Sequence, residues 1–485
     1  MTLLAGLDVG TSSVKGLLVD AADGRVVARA EAEHPLSTPR PGWAEQNPED
    51  WWAGAQVVLA ALGDAGTIDA IGLSGQMHGL VALDASGAVL RPAMLWNDGR
   101  TGAECAQIEA RIGLDALIAQ TGNRALTGFT APKLLWLARH EPELYGRIDR
   151  IMLPKDYVRL RLCGEHATDV ADASGTLLFD VARRRWSDAV LASLDVDPAW
   201  LPPALESPSL SGVTAGGTPV AAGAGDQAAG ALGVGVDRAG RPGRPGMASI
   251  VLGTSGVVFA PSEAFAADPA ARVHAFCHAA PGIWHSMGVM LSAGGSLRWL
   301  RDIVAPGAGY GALVAEAERW APGSEGLTFL PYLAGERTPH ADPDARGAFT
   351  GLSLRHDRGA LVRAVLEGVA FGLRDGLDLV SENTSAPPSL GRVSGGGARS
   401  RLWLQILASV LELPLQRTAV DEGASFGAAL LGGVAAGAFA DVHEAVATCV
   451  QPGEIVEPVA AWVEPYRDAR ERFVALYPAL RDGLA

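Results

Sequence analysis

Cysteine is scarce: four stand in 485 residues, far apart and in no CxxC pair. That argues against a zinc framework or a disulfide scaffold and fits reduced structural thiols in the cytoplasm. Basic runs are missing as well. Lys and Arg total 39 against 54 Asp and Glu, a formal charge of −15. A nucleic-acid binder neutralises phosphates with clustered Lys and Arg, so this balance argues against that class. The most apolar stretch, VAAGAGDQAAGALGVGV, is broken by Asp226 and rich in glycine, which excludes a bilayer span. MTLLAGLDVG has no basic n-region and reaches Asp8 early, so no signal peptide is expected. There is no GxxxxGK[ST], and no GxGxxG with its acidic partner; a P-loop kinase and an NAD-dependent dehydrogenase are both poorly supported.

The chain is too long for one core and predicts two domains. The Gly/Pro/Arg-rich segment VDRAGRPGRPG, 236–246, is the expected boundary, giving 1–240 and 247–485. The first half opens with an antiparallel meander: strands at 3–8 and 14–20, then RVVARAEAE. Asn47 before Pro48, Glu49 and Asp50 predicts a capped helix running to about Leu62. A short buried strand is expected at 68–73, a hairpin around Ala85–Gly87, mostly helix from about 100 to 165, and a strand at 218–224 leading into an Ala-rich helix. After the boundary the meander restarts with ASIVLGTSGVVFAP. A helix is predicted at 360–378, and VSGGGARSRLWLQILASVL reads as strand, glycine turn and helix.

The opening LDVGTSSVKG is thus echoed by IVLGTSGVVF at 250–259. Gly10 and Gly253 allow the backbone to expose successive N–H groups, and Thr11, Ser12, Ser13, Thr254 and Ser255 add hydroxyl donors. Such a concave set binds anions, whereas either turn alone could be a plain hairpin. Two lobes facing one another would aim both turns into one cleft. Asp8 beside the first turn is unfavourable near phosphate unless a cation is present, which suggests Mg²⁺; the plainer role is an Asp capping its own turn. His78 in SGQMHG has no second His or Cys at ligand spacing, so it either contacts a small polar substrate or satisfies a loop. Trp96 in LWNDGR either packs in the core or stacks on a sugar face. Asp226 in GAGDQAAG is either a helix N-cap or, with small residues clearing space around it, a general base for a hydroxyl.

LDVGTSSVKG, GWAEQNPEDWW, SGQMHG, LWNDGR, GFTAPKLLWLARH, GAGDQAAG, LGTSG, YLAGERTPH and SGGGARS follow one another in the order found in the FGGY carbohydrate kinases, from residue 6 to about 430. By this set the chain resembles that family, and QMHG resembles its members that act on D-xylulose. The resemblance implies an α/β, two-lobed, actin-like (ribonuclease-H-like) ATPase fold with an interdomain cleft. It implies ATP and Mg²⁺ and phosphorylation of D-xylulose to D-xylulose 5-phosphate, another pentulose or polyol being the alternative. Asp226 then matches the catalytic base and Asp8 the acid near Mg²⁺ and the phosphates. Met77, His78 and Trp96 match sugar-pocket positions. Thr11, Ser12, Lys15 and Thr254 match phosphate contacts, and Gly294, Arg298, Gly396, Gly397 and Arg401 match the nucleotide side. No nucleic-acid or membrane partner is expected, and a homodimer is left open.

Overall fold

Residues 3–9 divide their side chains between two layers, as a strand buried on both faces must. In the computed structural model, which describes residues 1–241 and 245–484, Leu3, Ala5, Leu7 and Val9 pack with Trp51, Val58 and Leu62 of the helix Pro48–Gly63. Leu4 turns the other way, into a cluster with Phe426, Ala429 and Leu430 of the helix Gly423–Ala435. The first of these helices begins as expected: Asn47 Oδ1 accepts from Glu49 N at 3.2 Å, and Pro48 holds the first helical position.

The first sheet runs Leu210–Val213, Pro219–Ala221, Ala70–Gly75, Leu3–Val9, Ser13–Asp20, Val26–Glu33. The last three strands form the expected antiparallel meander, while Leu3–Val9 and Ala70–Gly75 are parallel. The strand expected at 218–224 is split into Pro219–Ala221 and Ala224–Gly225. Gly223 between them lies at φ +84°, with Leu73 O only 2.3 Å from where a Cβ would stand. The mostly helical stretch 100–165 also contains a strand, Arg150–Met152, paired with Val81–Leu83. Across Asp84–Ala88 the chain turns tightly, with Gly87 N donating to Asp84 O at 2.8 Å.

The second sheet repeats the plan. Gly246–Leu252, Gly256–Ser262 and Trp284–Met290 are antiparallel neighbours, His274–Cys277 adds the edge, and Pro388–Ser394 and Leu415–Thr418 pair parallel on the other side. The helix Arg358–Glu382, capped by Asp357 accepting from Ala360 N at 3.0 Å, lies in its core. The proposed boundary segment 236–246 falls between the two sheets, and its residues 242–244 lie outside the described residues.

The covalent order is not the packing order. The helix Gly423–Ala435 returns to the first sheet, backbone against backbone. A Cβ on Gly72 would stand 1.7 Å from Ala428 O, and one on Gly427 would stand 1.8 Å from Ala229 O. No helix among the described residues is long and apolar enough to cross a membrane.

Candidate active site

Three parallel strands set the first side of the site. Val9 pairs with Gly75, and Gly75 with Gly225. One residue further on, Gly10, Gln76 and Asp226 therefore stand side by side at the carboxyl ends of neighbouring strands. In open α/β sheets that edge is where ligands bind, because the chain turns away and leaves a crevice.

The first turn is wired into this edge by side chains. Gln76 Nε2 donates to Gly10 O (3.3 Å), and Gln46 Nε2 to Thr11 O (2.6 Å). Thr11 Oγ1 donates to Gln76 Oε1 (3.2 Å) and accepts from Trp96 Nε1 (3.0 Å). Trp96 thus reaches the turn with its indole nitrogen while its ring stays partly open. Ser12 is exposed at the turn tip. Lys15 stands opposite Asp8 in register, on the same face, with its ammonium 3.8 Å from Glu31.

Met77 and His78 form the neighbouring wall, and both are buried. His78 has the left-handed backbone φ of +71°. Its Nδ1 donates to Gly175 O at 2.6 Å, so Nε2 carries the lone pair. Burial, then the Lys133 charge, lowers its pKa to about 3, and the ring is neutral at ordinary pH. Gly175 has no room for a side chain: a Cβ would stand 2.4 Å from His78 Nδ1 and 3.0 Å from Met77 Cε. The His78 ring lies 4.8 Å from Phe129 and 6.2 Å from Phe276, the latter on a strand of the second sheet.

Asp226 is not the N-cap of its helix. The cap position belongs to Gly225, and the helix spans Asp226–Gly233. Burial and then the nearby Asp8 charge raise the Asp226 carboxyl to about 7, with Gln227 opposing. Asp8 is also raised, by burial, against the hydroxyl of Ser74 donating to its Oδ1 at 2.8 Å and against the Lys15 charge. Two carboxylates that disfavour each other's ionisation, one of them poised near neutrality, are suited to holding a cation and to taking a proton.

The second turn is built differently. Gly294 N donates to Gly253 O at 2.8 Å, and Ala293 N and Gly295 N donate to Thr254 O at 2.9 and 3.0 Å. A Cβ on Gly294 would stand 2.5 Å from Gly253 O, and one on Gly395 would stand 2.7 Å from Leu252 O. Three glycine turns, at 253–255, 293–295 and 395–397, thus meet at one end of the second sheet. Thr254, Arg298 and Gly396 are exposed there, and Gly397 packs over Leu252. Arg401 turns to the sheet's other edge, where its guanidinium donates to Glu454 at 2.8 Å.

Several members of this site escape sequence reasoning. Gln46 and Gln76 are ordinary polar residues until the fold brings them to the first turn. Asn123 Oδ1 accepts from His274 Nδ1 at 2.7 Å and its Nδ2 donates to Ala275 O at 3.2 Å, so the second half backs the wall holding His78. Lys133 is buried with no acid partner among the described residues; the GFTAPKLLWLARH motif contains it, but nothing in the spacing marks its role.

Comparison with known proteins is consistent over the whole chain. Residues 3–233 match the N-terminal domain, and residues 248–436 the C-terminal domain, of the FGGY family of carbohydrate kinases. The xylulose kinase of Escherichia coli strain K12 is 44% identical over 488 residues, covering 98% of each chain. A xyloylose kinase from Brucella ovis superposes with a TM-score of 0.90 at 43% identity, covering 99% of both chains. The xylulose kinase from Rhodospirillum rubrum gives 0.89 at 35% identity, again over 99% of both.

Proposed function

The chain belongs to the FGGY family of carbohydrate kinases, and from that premise we propose that it transfers the γ-phosphoryl group of ATP to the terminal hydroxyl of D-xylulose, giving D-xylulose 5-phosphate. The observation that carries the chemistry is the position of Asp226: a carboxylate at the strand edge, raised to about 7 by burial and then by the Asp8 charge, beside the first turn. The near-full-length likeness to named xylulose kinases supports the choice of sugar.

Phosphoryl transfer asks for position and charge neutralisation more than for covalent chemistry. Asp226 takes the proton of the sugar hydroxyl as that oxygen attacks phosphorus in line and the bond to ADP breaks. Met77, neutral His78 and Trp96 line the sugar; His78 Nε2 offers an acceptor to a sugar hydroxyl. Thr11, Ser12, Lys15 and Thr254 hold the phosphates, and Gly294, Arg298, Gly396 and Gly397 border the nucleoside, whereas Arg401, paired with Glu454, stands away from it. Asp8 fits a hard divalent cation: its carboxylate is engaged by Ser74 on one oxygen, and its charge opposes Asp226. Mg²⁺ there would neutralise the triphosphate. The four cysteines are unpaired, which supports a cytoplasmic setting.

A panel of pentuloses and polyols with ATP, followed by identification of the phosphorylated product, tests this reading. The expected result is the highest kcat/KM with D-xylulose and a 5-phosphate product. A higher value for another pentulose or an alditol would move the substrate to that sugar, and no sugar-stimulated ADP release would overturn the kinase reading of the site.

A further inference from the structure

We propose that Lys133 is a positioning residue for the sugar: one buried amino head ties the turn that carries His78 to the loop that backs Trp96. The proposal rests on the sugar-pocket reading of His78 and Trp96 given above.

Lys133 lies in the helix Thr130–His140 and is fully buried. Burying an ammonium is costly unless it is strongly bonded, and burial lowers the Lys133 pKa to about 7 against the Asp98 charge, so the amino head stands near the boundary between its charged and neutral forms. Its Nζ makes no ion pair among the described residues. It donates instead to two backbone carbonyls, His78 O at 2.9 Å and Gly128 O at 2.5 Å. Asp98, the acid whose charge it feels, is already committed: it accepts from Ala44 N at 2.7 Å and from Arg100 at 2.6 and 2.9 Å. The helix adds a second donor to the same peptide, since Thr130 Oγ1, three residues earlier, reaches His78 O at 3.0 Å.

The two carbonyls belong to the two sides of the sugar pocket. His78 is a non-glycine residue at φ +71°, a conformation held only where its surroundings determine it. Two donors on its carbonyl from below and the Nδ1 bond to Gly175 from above fix the ring's direction. Gly128 belongs to the loop against Trp96: a Cβ on Gly128 would stand 2.4 Å from Trp96 O. The next residue, Phe129, lies edge-on to the His78 ring at 4.8 Å. A compact amino head on a long stem keeps at least two N–H donors in either protonation state and can serve two carbonyls at once, which a hydroxyl cannot do from the same helix position. When charged, the same head also disfavours protonation of His78, after burial itself, keeping Nε2 an acceptor.

The test compares steady-state kinetics of Lys133→Met, Thr130→Val and His78→Ala, and of each helix variant combined with His78→Ala. Displacing a residue held by such outer contacts costs roughly 10–100-fold. For Lys133→Met the expected result is a rise of that order in KM for D-xylulose, with KM for ATP within about twofold. Thr130→Val should move the same way by about threefold to tenfold, because one donor of two is lost. In the His78→Ala background the Thr130→Val effect should shrink to less than about threefold, since the group it positions is gone, and the Lys133→Met effect should shrink to the part lost through Gly128 and Trp96. A role confined to stability would give the same cost in both backgrounds, and that outcome overturns the proposal. So would folded Lys133→Met and Thr130→Val proteins with unchanged KM for the sugar. If Lys133→Met fails to fold, Thr130→Val and its double variant decide the matter alone. An unaltered KM in His78→Ala would instead overturn the sugar-pocket reading itself.

Discussion

The two GTS turns look alike as strings and are held by different means. The first, residues 10–13, is gripped by side chains: two glutamines and Trp96 reach its backbone and its threonine. The second, residues 253–255, is gripped by backbone N–H groups among the described residues, with glycines from two other turns pressed against it. The residue before each turn differs in the same sense. Counting back from each glycine, Asp8 stands two residues before Gly10, and the apolar Val251 holds the matching place before Gly253. On the proposed function, the first lobe supplies charge and directional hydrogen bonds, as proton transfer and recognition of a small neutral sugar require. The second supplies a smooth surface of small residues, against which a flat base and ribose can lie. One repeated architecture has been divided between chemistry and shape.

Breaking the chemical half should have the largest effect. Asp226→Asn is expected to lower kcat by about 10²–10⁴, the usual range for a general base, with D-xylulose binding partly kept; stopped assays and direct sugar binding measure the two separately. Near-normal turnover would dissolve the distinction between the halves. Breaking the shape half comes next. Gly395 sits at φ +90°. In Gly395→Ala the added Cβ must push on the second turn, so KM for ATP should rise about tenfold or more, with KM for the sugar changed little. An equal rise in both would mean that the turns are not specialised.

A pH profile sharpens the comparison without disabling the enzyme. The base must be unprotonated, and Asp226 is raised to about 7. With sugar varied, kcat/KM should therefore climb with pH through about 7 and fall roughly tenfold per unit well below it. Because the Asp8 charge contributes to that elevation, second to burial, Asp8→Asn should move the acid limb to lower pH while also reducing the rate. A limb that stays in place would separate the two carboxylates. Arg401→Ala should have the smallest effect. Its guanidinium is engaged with Glu454 in an exposed pair, so KM for ATP should rise at most a few-fold and the melting temperature should hardly move.

Much of this was legible from residue pattern because the relevant physics is local. Asn47-Pro48 announces a helix start, alternation announces the meanders, and glycine with short hydroxyl residues announces an anion cradle. Asp226 stood out for the space around it, but its neighbours could not say whether it capped the helix. Gly225 takes the cap position, which only the folded chain shows. The break at Gly223 was invisible because its cause is Leu73, some 150 residues earlier in the chain.

Motif order and hydrophobic pattern were sufficient for the two-lobed plan and the family, since each depends on residues close together along the chain. The wiring of the first turn through Gln46 and Gln76, the return of the helix Gly423–Ala435 to the first sheet, and the burial of Lys133 beneath His78 depend on residues tens to hundreds of positions apart. Electrostatic shifts and close backbone approaches act through space, so only folding decides which distant groups share a wall.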